Sequence, residues 1–123
     1  MSHKISINEA RNWEDIKYLR MALEEATFSD CTNQHGCVIV RGGNILAKAH
    51  NKFRNHPKQV SPEHVQSHCT VHAEIAAIKA AGDCRGANMY VARQGRRAVL
   101  MSRPCDRCYR IIVESGIRKV IHT

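Results

Sequence analysis

The chain predicts an α/β fold, a mixed sheet with helices packed on it. Three observations lead there. Apolar residues alternate along the chain between helical three- and four-residue spacing and short β-type runs. A Gly-Gly pair separates two of those runs as a hairpin. The stretches interleave in the order α-β-β-α-β-(β)-α-β, which calls for a sheet with helices packed on it. At 123 residues the chain suits one domain spanning 1–123, large enough to bury a core.

The elements follow in order. Trp13, Ile16, Leu19, Leu23 and Ala26 recur at helical spacing from Trp13 to Phe28, with Asn12 as an acceptable N-cap. Cys37–Val40 and Ile45–Ala47 are strands joined through Arg41-Gly42-Gly43-Asn44. From Asn51 to Cys69 the chain is polar and reads as a long loop of the kind that lines sites. Thr70 can cap a helix from His72 to about Ala81, closed by Gly82. Met89–Ala92 is a strand, Gly95 a turn and Ala98–Met101 a further extended run. Pro104 suits the first position of a third helix, which ends at Gly116, and Val120-Ile121 make a last strand.

Composition narrows the function classes. Hydrophobic residues at 43% and charged residues at 24% are ordinary for a soluble globular protein. No run approaches the ~20 apolar residues that span a bilayer, so no membrane role is expected. The N-terminal stretch lacks a secretory pattern. The six cysteines therefore read as reduced thiols or ligands, and the expected location is cytoplasmic. A formal net charge of +8 favours anionic partners, phosphorylated small molecules or polynucleotides. The basic residues gather at Lys48–Lys58 and Arg93–Arg110.

The densest chemistry lies in His72-Ala73-Glu74 and in Pro104-Cys105-Asp106-Arg107-Cys108. A catalytic zinc takes three protein ligands and keeps a fourth position open. His72, Cys105 and Cys108 fill those places for one zinc per chain, and Glu74 is left free to move protons. Two residues apart in mid-helix, His72 and Glu74 would point nearly opposite ways. Both can serve one site only at a helix start. A purely structural zinc would need a fourth protein ligand, and a redox dithiol has no use for the His-x-Glu pair.

With these motifs in place, the chain resembles the cytidine deaminase superfamily, most of all its deoxycytidylate (dCMP) deaminase branch. Gly36–Val40 with Gly43–Leu46 is similar to the family's first hairpin, and Cys69–Ile78 to its metal helix. Gly86–Val91 is similar to its third strand, and Ser115–Val120 to the end of its last core helix. The link Arg93–Arg103 is longer and more basic than its counterpart in the family.

The resemblance implies a three-layer sheet with helices on both faces, and a homo-oligomer. It implies hydrolytic deamination at C4 of a cytosine nucleotide, dCMP to dUMP, with Glu74 passing protons to N3 and to the departing ammonia. Asn51 would contact the sugar, with Ala73, Ser102, Arg103, Lys52 and Arg54 completing the substrate-binding set. Lys52, Arg54, Lys58 and Arg103 are the residues offered to a 5′-phosphate, since charge-assisted bonds suit that group.

Other functions compete. A deaminase of tRNA adenosine or of single-stranded DNA cytosine would use the +8 charge, but aromatic residues, the usual stacking platforms, are only 5% of the chain. A nucleoside or unusual-base deaminase needs no phosphate ligand. A zinc module that only binds nucleic acid would have no need of Glu74.

Overall fold

The structure is a computed structural model and describes residues 5–52 and 71–123. Its elements are β1 (Ser6–Asn8), α1 (Trp13–Ala26), β2 (Gln34–Arg41), β3 (Asn44–His50), α2 (Ala73–Ala81), β4 (Asn88–Gln94), β5 (Val99–Leu100), α3 (Asp106–Glu114) and β6 (Lys119–His122). The six strands form one mixed sheet in the order β1-β6-β4-β2-β3, with β5 attached to β4. β6 runs parallel to both β1 and β4, and the remaining pairs are antiparallel.

Two cores lie on the two faces, as the three-layer reading expects. Strand residues alternate between faces. Cys37 and Ile39 of β2, Met89 and Val91 of β4 and Val120 of β6 pack with Ala73 and Ala77 of α2 and Cys108 and Ile112 of α3. Val38, Val40, Tyr90, Ala92 and Ile121 point the other way and meet Tyr18, Leu19 and Ala22 of α1. The seam with α1 is close because Gly36 has no side chain. A Cβ there would fall 1.9 Å from the Ala22 carbonyl oxygen and 2.6 Å from the Ala26 nitrogen.

Local chemistry explains most element ends. Asn12 Oδ1 accepts from the Asp15 N–H at 2.9 Å and caps α1. Gly42 and Gly43 take φ of 58° and 79°, the left-handed pair that a two-residue hairpin between β2 and β3 requires.

Several expectations are corrected. Trp13 is 80% exposed, because α1 turns Asp15, Tyr18, Leu19, Ala22 and Ala26 inward. At 3.6 residues per turn Trp13 falls on the opposite side of that stripe. β1 was not anticipated. Pro104 precedes α3 instead of opening it, since Cys105 occupies the cap with extended backbone. His72 is likewise the cap of α2, not its first residue, and Thr70 lies outside the described residues. Cys31 is buried and disulfide-bonded, against the expectation of thiols or ligands throughout. Pairing depends on two Cβ atoms approaching in space, which sequence spacing does not reveal. Cys37, Cys84, Cys105 and Cys108 are free.

Candidate metal centre

Two helix starts meet at one end of the sheet. Lys52, just past β3, bridges Val71 through backbone hydrogen bonds in both directions, at 3.0 and 3.1 Å. That bridge fixes the residue before His72. His72 and Cys105 hold the cap positions of α2 and α3 with extended backbone, and neither side chain caps its own helix. His72 is therefore outside the helical repeat, which resolves the conflict between His72 and Glu74. Glu74, in the first turn of α2, is buried.

The ligand atoms converge. His72 Nδ1 lies 3.2 Å from Cys108 Sγ and 3.9 Å from Cys105 Sγ, and all three atoms fall within 4.8 Å of one another. Zn–N of about 2.0–2.1 Å and Zn–S of about 2.3 Å place a tetrahedral N and S about 3.6 Å apart. The two observed distances bracket that value. Among the described residues this is the cluster of His, Cys and acidic side chains that could hold a metal ion.

The electrostatics agree with the geometry. Burial pushes the Cys108 thiol well up, and the nearby Glu74 carboxylate and Cys105 push it further. The buried Cys108 thiolate is thus disfavoured in the metal-free protein, a cost a divalent cation relieves. The residues present therefore fit zinc. Burial likewise raises the neighbouring Cys37 thiol, with Glu74 and Cys108 adding to the effect.

The substrate-binding candidates are placed as follows. Ala73 is buried between His72 and Glu74. Asn51 is buried; its Oδ1 accepts from the His35 N–H at 2.9 Å and its Nδ2 donates to the Asn33 carbonyl at 2.6 Å. Ser102 is buried, with Oγ donating to the Val91 carbonyl at 2.7 Å and its N–H donating to the Thr123 carbonyl at 3.0 Å. Lys52 and Arg103 are exposed. Arg54 and Lys58 lie outside the described residues.

One residue the sequence reading passed over is His35. It shares a face of β2 with Cys37 and Ile39, the face covered by α2 and α3. Burial lowers its imidazole below the usual range; Glu74 and a hydrogen bond to the Asn33 backbone oppose this, while Arg93 and His72 add to it. The signal was the strand alternation itself, carried two residues beyond Cys37.

A His/Cys/Cys cluster with a buried carboxylate beside it, mounted on two helix starts over a mixed sheet, defines the zinc-type deaminase fold. A family model, the cytidine and deoxycytidylate deaminase zinc-binding region, matches residues 12–123, and the chain belongs to that family. A tRNA-specific adenosine deaminase from Aquifex aeolicus (strain VF5) is 36% identical over 106 residues, 85% of this chain. The match spans 62% of that relative's length. Among solved structures, a dCMP deaminase from the cyanophage S-TIM5, in complex with dCMP and dUMP, aligns with TM-score 0.70 and 19% identity over 94% of this chain and 86% of that one. Guanine deaminase from Bacillus subtilis aligns with TM-score 0.60 and 22% identity over 92% of this chain and 64% of that one. At those identities the likeness to the solved structures is one of fold.

Proposed function

We propose that the protein hydrolyses the exocyclic amine of a cytosine nucleotide, converting dCMP to dUMP, with one zinc per chain held by His72, Cys105 and Cys108. The observation that carries the deaminase reading is Glu74: a buried carboxylate in the first turn of α2, two residues from His72 and near enough to Cys108 to disfavour its thiolate. Zinc, when bound, supplies the Lewis acidity that makes water a nucleophile at neutral pH. Glu74 takes up the proton released as water adds at C4 and delivers it to N3. It then transfers a second proton to the amine, so that C4–NH2 and water become C4=O and ammonia. The α2 start holds Glu74 rigidly against this task, because Ala73 before it and Ala77 after it are packed in the core. A homo-oligomer, implied by the resemblance, belongs to the same reading and is checked by sedimentation.

The fold likeness to the cyanophage dCMP deaminase and the low aromatic content support a mononucleotide substrate. A second reading, deamination of a base within a polynucleotide, draws support from the 36% identity to the tRNA-specific adenosine deaminase and from the +8 charge. Ammonia release by zinc-loaded protein on dCMP, deoxycytidine, dAMP and a cytosine-containing oligonucleotide separates them. The mononucleotide reading expects dCMP to be turned over best. Efficient oligonucleotide turnover with a poor rate on dCMP refutes it, and steep loss of rate with salt would mark the polynucleotide enzyme.

A further inference from the structure

Arg93 is a cation with no counter-charge among the described residues. It stands near the end of β4, directly opposite His35 of β2 in the antiparallel register. Its parity is that of Met89 and Val91, so it belongs to the face covered by α2 and α3. The side chain is half-buried. Its Nη2 donates to Asn33 Oδ1 at 2.7 Å, while its Nε is buried with no hydrogen-bond partner among the described residues. Ion pairs among those residues join Arg41 to Asp83, Arg85 to Asp83 and His50 to Glu25, and none involves Arg93.

Asn33 is neutral, so it aims the guanidinium without discharging it. A half-buried cation with no ion pair and an unsatisfied N–H is a poor structural element and a good receptor for an anion. Its location names the anion. Asn33, whose side chain orients Arg93, also accepts from Asn51 Nδ2 through its backbone carbonyl at 2.6 Å, and Asn51 Oδ1 accepts from the N–H of His35, the residue opposite Arg93. Arg93 is thus linked through one residue to Asn51, which the deaminase reading sets against the sugar, the part of a nucleotide that carries its 5′-phosphate.

We infer that Arg93 binds the phosphate on the 5′ side of the target nucleoside, through the guanidinium that Asn33 orients. The inference rests on the deaminase reading for its substrate. A guanidinium fork matches phosphate oxygens as a lysine does not. The phosphate can be the monoester of a mononucleotide or a phosphodiester within a strand, and the assay distinguishes these sources.

The test compares zinc-loaded wild type, Arg93→Gln and Arg93→Lys on dCMP, deoxycytidine and a trinucleotide with a central cytidine. Arg93→Gln is expected to lower the ratio of kcat/KM for dCMP to that for deoxycytidine by about ten- to a hundred-fold, the usual loss of a charge-assisted contact. Arg93→Lys recovers part of it. The trinucleotide losing rate in place of dCMP would assign the phosphate to a strand. An equal loss on nucleoside and nucleotide, or no loss, overturns the inference and leaves Arg93 a prop for Asn33. Calorimetric titration with dUMP and deoxyuridine reads the same contact without turnover. If no substrate is deaminated yet wild type prefers dUMP and Arg93→Gln does not, the deaminase reading fails and the Arg93 assignment stands. If wild type shows no preference for dUMP, the assignment itself falls.

Discussion

Lys52 and Val71 exchange both of their backbone hydrogen bonds, at 3.0 and 3.1 Å, so the residue that leads into His72 is clamped to the end of β3. His72, proposed as a zinc ligand, sits at a helix cap with no helical repeat to hold it, and this bridge takes over that role. Val71→Pro deletes one of the two bonds by removing its donor. Stability should fall by about 1 kcal/mol, the net worth of one such bond, and chelator should strip zinc faster than from wild type. Urea titration and a competition assay measure the two effects, and an unchanged stripping rate would disconnect the bridge from the metal.

Replacing Cys108 by Ala removes the buried ligand 3.2 Å from His72 Nδ1. Wild-type protein should carry about one zinc per chain by three-ligand logic. The variant should bind it more weakly by at least the roughly 10–100-fold that losing even an outer-shell partner costs. Elemental analysis after dialysis decides.

Glu74→Gln keeps the shape of the side chain and removes its capacity to take a proton. Zinc content and folding should be preserved, while the rate falls by about 10²–10⁴-fold or more. Loss of zinc in this variant would make Glu74 a ligand and end its role as proton carrier.

Gly36 underlies the closest approach of α1 to the sheet, with backbone atoms of Ala22 and Ala26 filling the space of a side chain. Gly36→Ala must push α1 outward, and overpacking of this kind costs about 1–3 kcal/mol or more. A denaturant midpoint equal to wild type would contradict the packing described.

Tyr90 is buried against α1, and its hydroxyl is pushed up to about 12, first by burial and then by Asp15 and Glu14. A free tyrosine ionises near 10. Between pH ~10 and ~12 the unfolded chain therefore loses this proton while the folded one keeps it, so stability is complete below pH ~10 and declines as pH rises. Tyr90→Phe should flatten that decline, and in wild type the corresponding phenolate absorbance should appear late in an alkaline titration.

Much of this was legible from residues that act locally. Asn12 caps α1, Gly42-Gly43 turns the hairpin, and His-x-Glu with Cys-x-x-Cys marks the metal cluster wherever the chain places it. What escaped depends on distant partners. Ser6–Asn8 becomes a strand only because Lys119–Ile121 lies beside it, more than a hundred residues later in sequence. Trp13 fits a helical stripe equally well by spacing, and only the packing of Tyr18 and Ala22 on β2 and β4 shows which side faces inward. Arg93 looked like one member of a basic run until the register set it opposite His35.

β6 pairs with Asn88–Val91, whereas β5 pairs only with Arg93 and Gln94, beyond the point where β6 ends. The β4–β5 hairpin is thus an annex to the sheet, joined at its margin and returned to the frame by Ser102 and Thr123. A change in the length of its turn should leave the helix starts at His72 and Cys105 in place. The length of chain that gathers His72, Cys105 and Cys108 and the length that forms this hairpin are thus separate parts of the molecule that meet along β4.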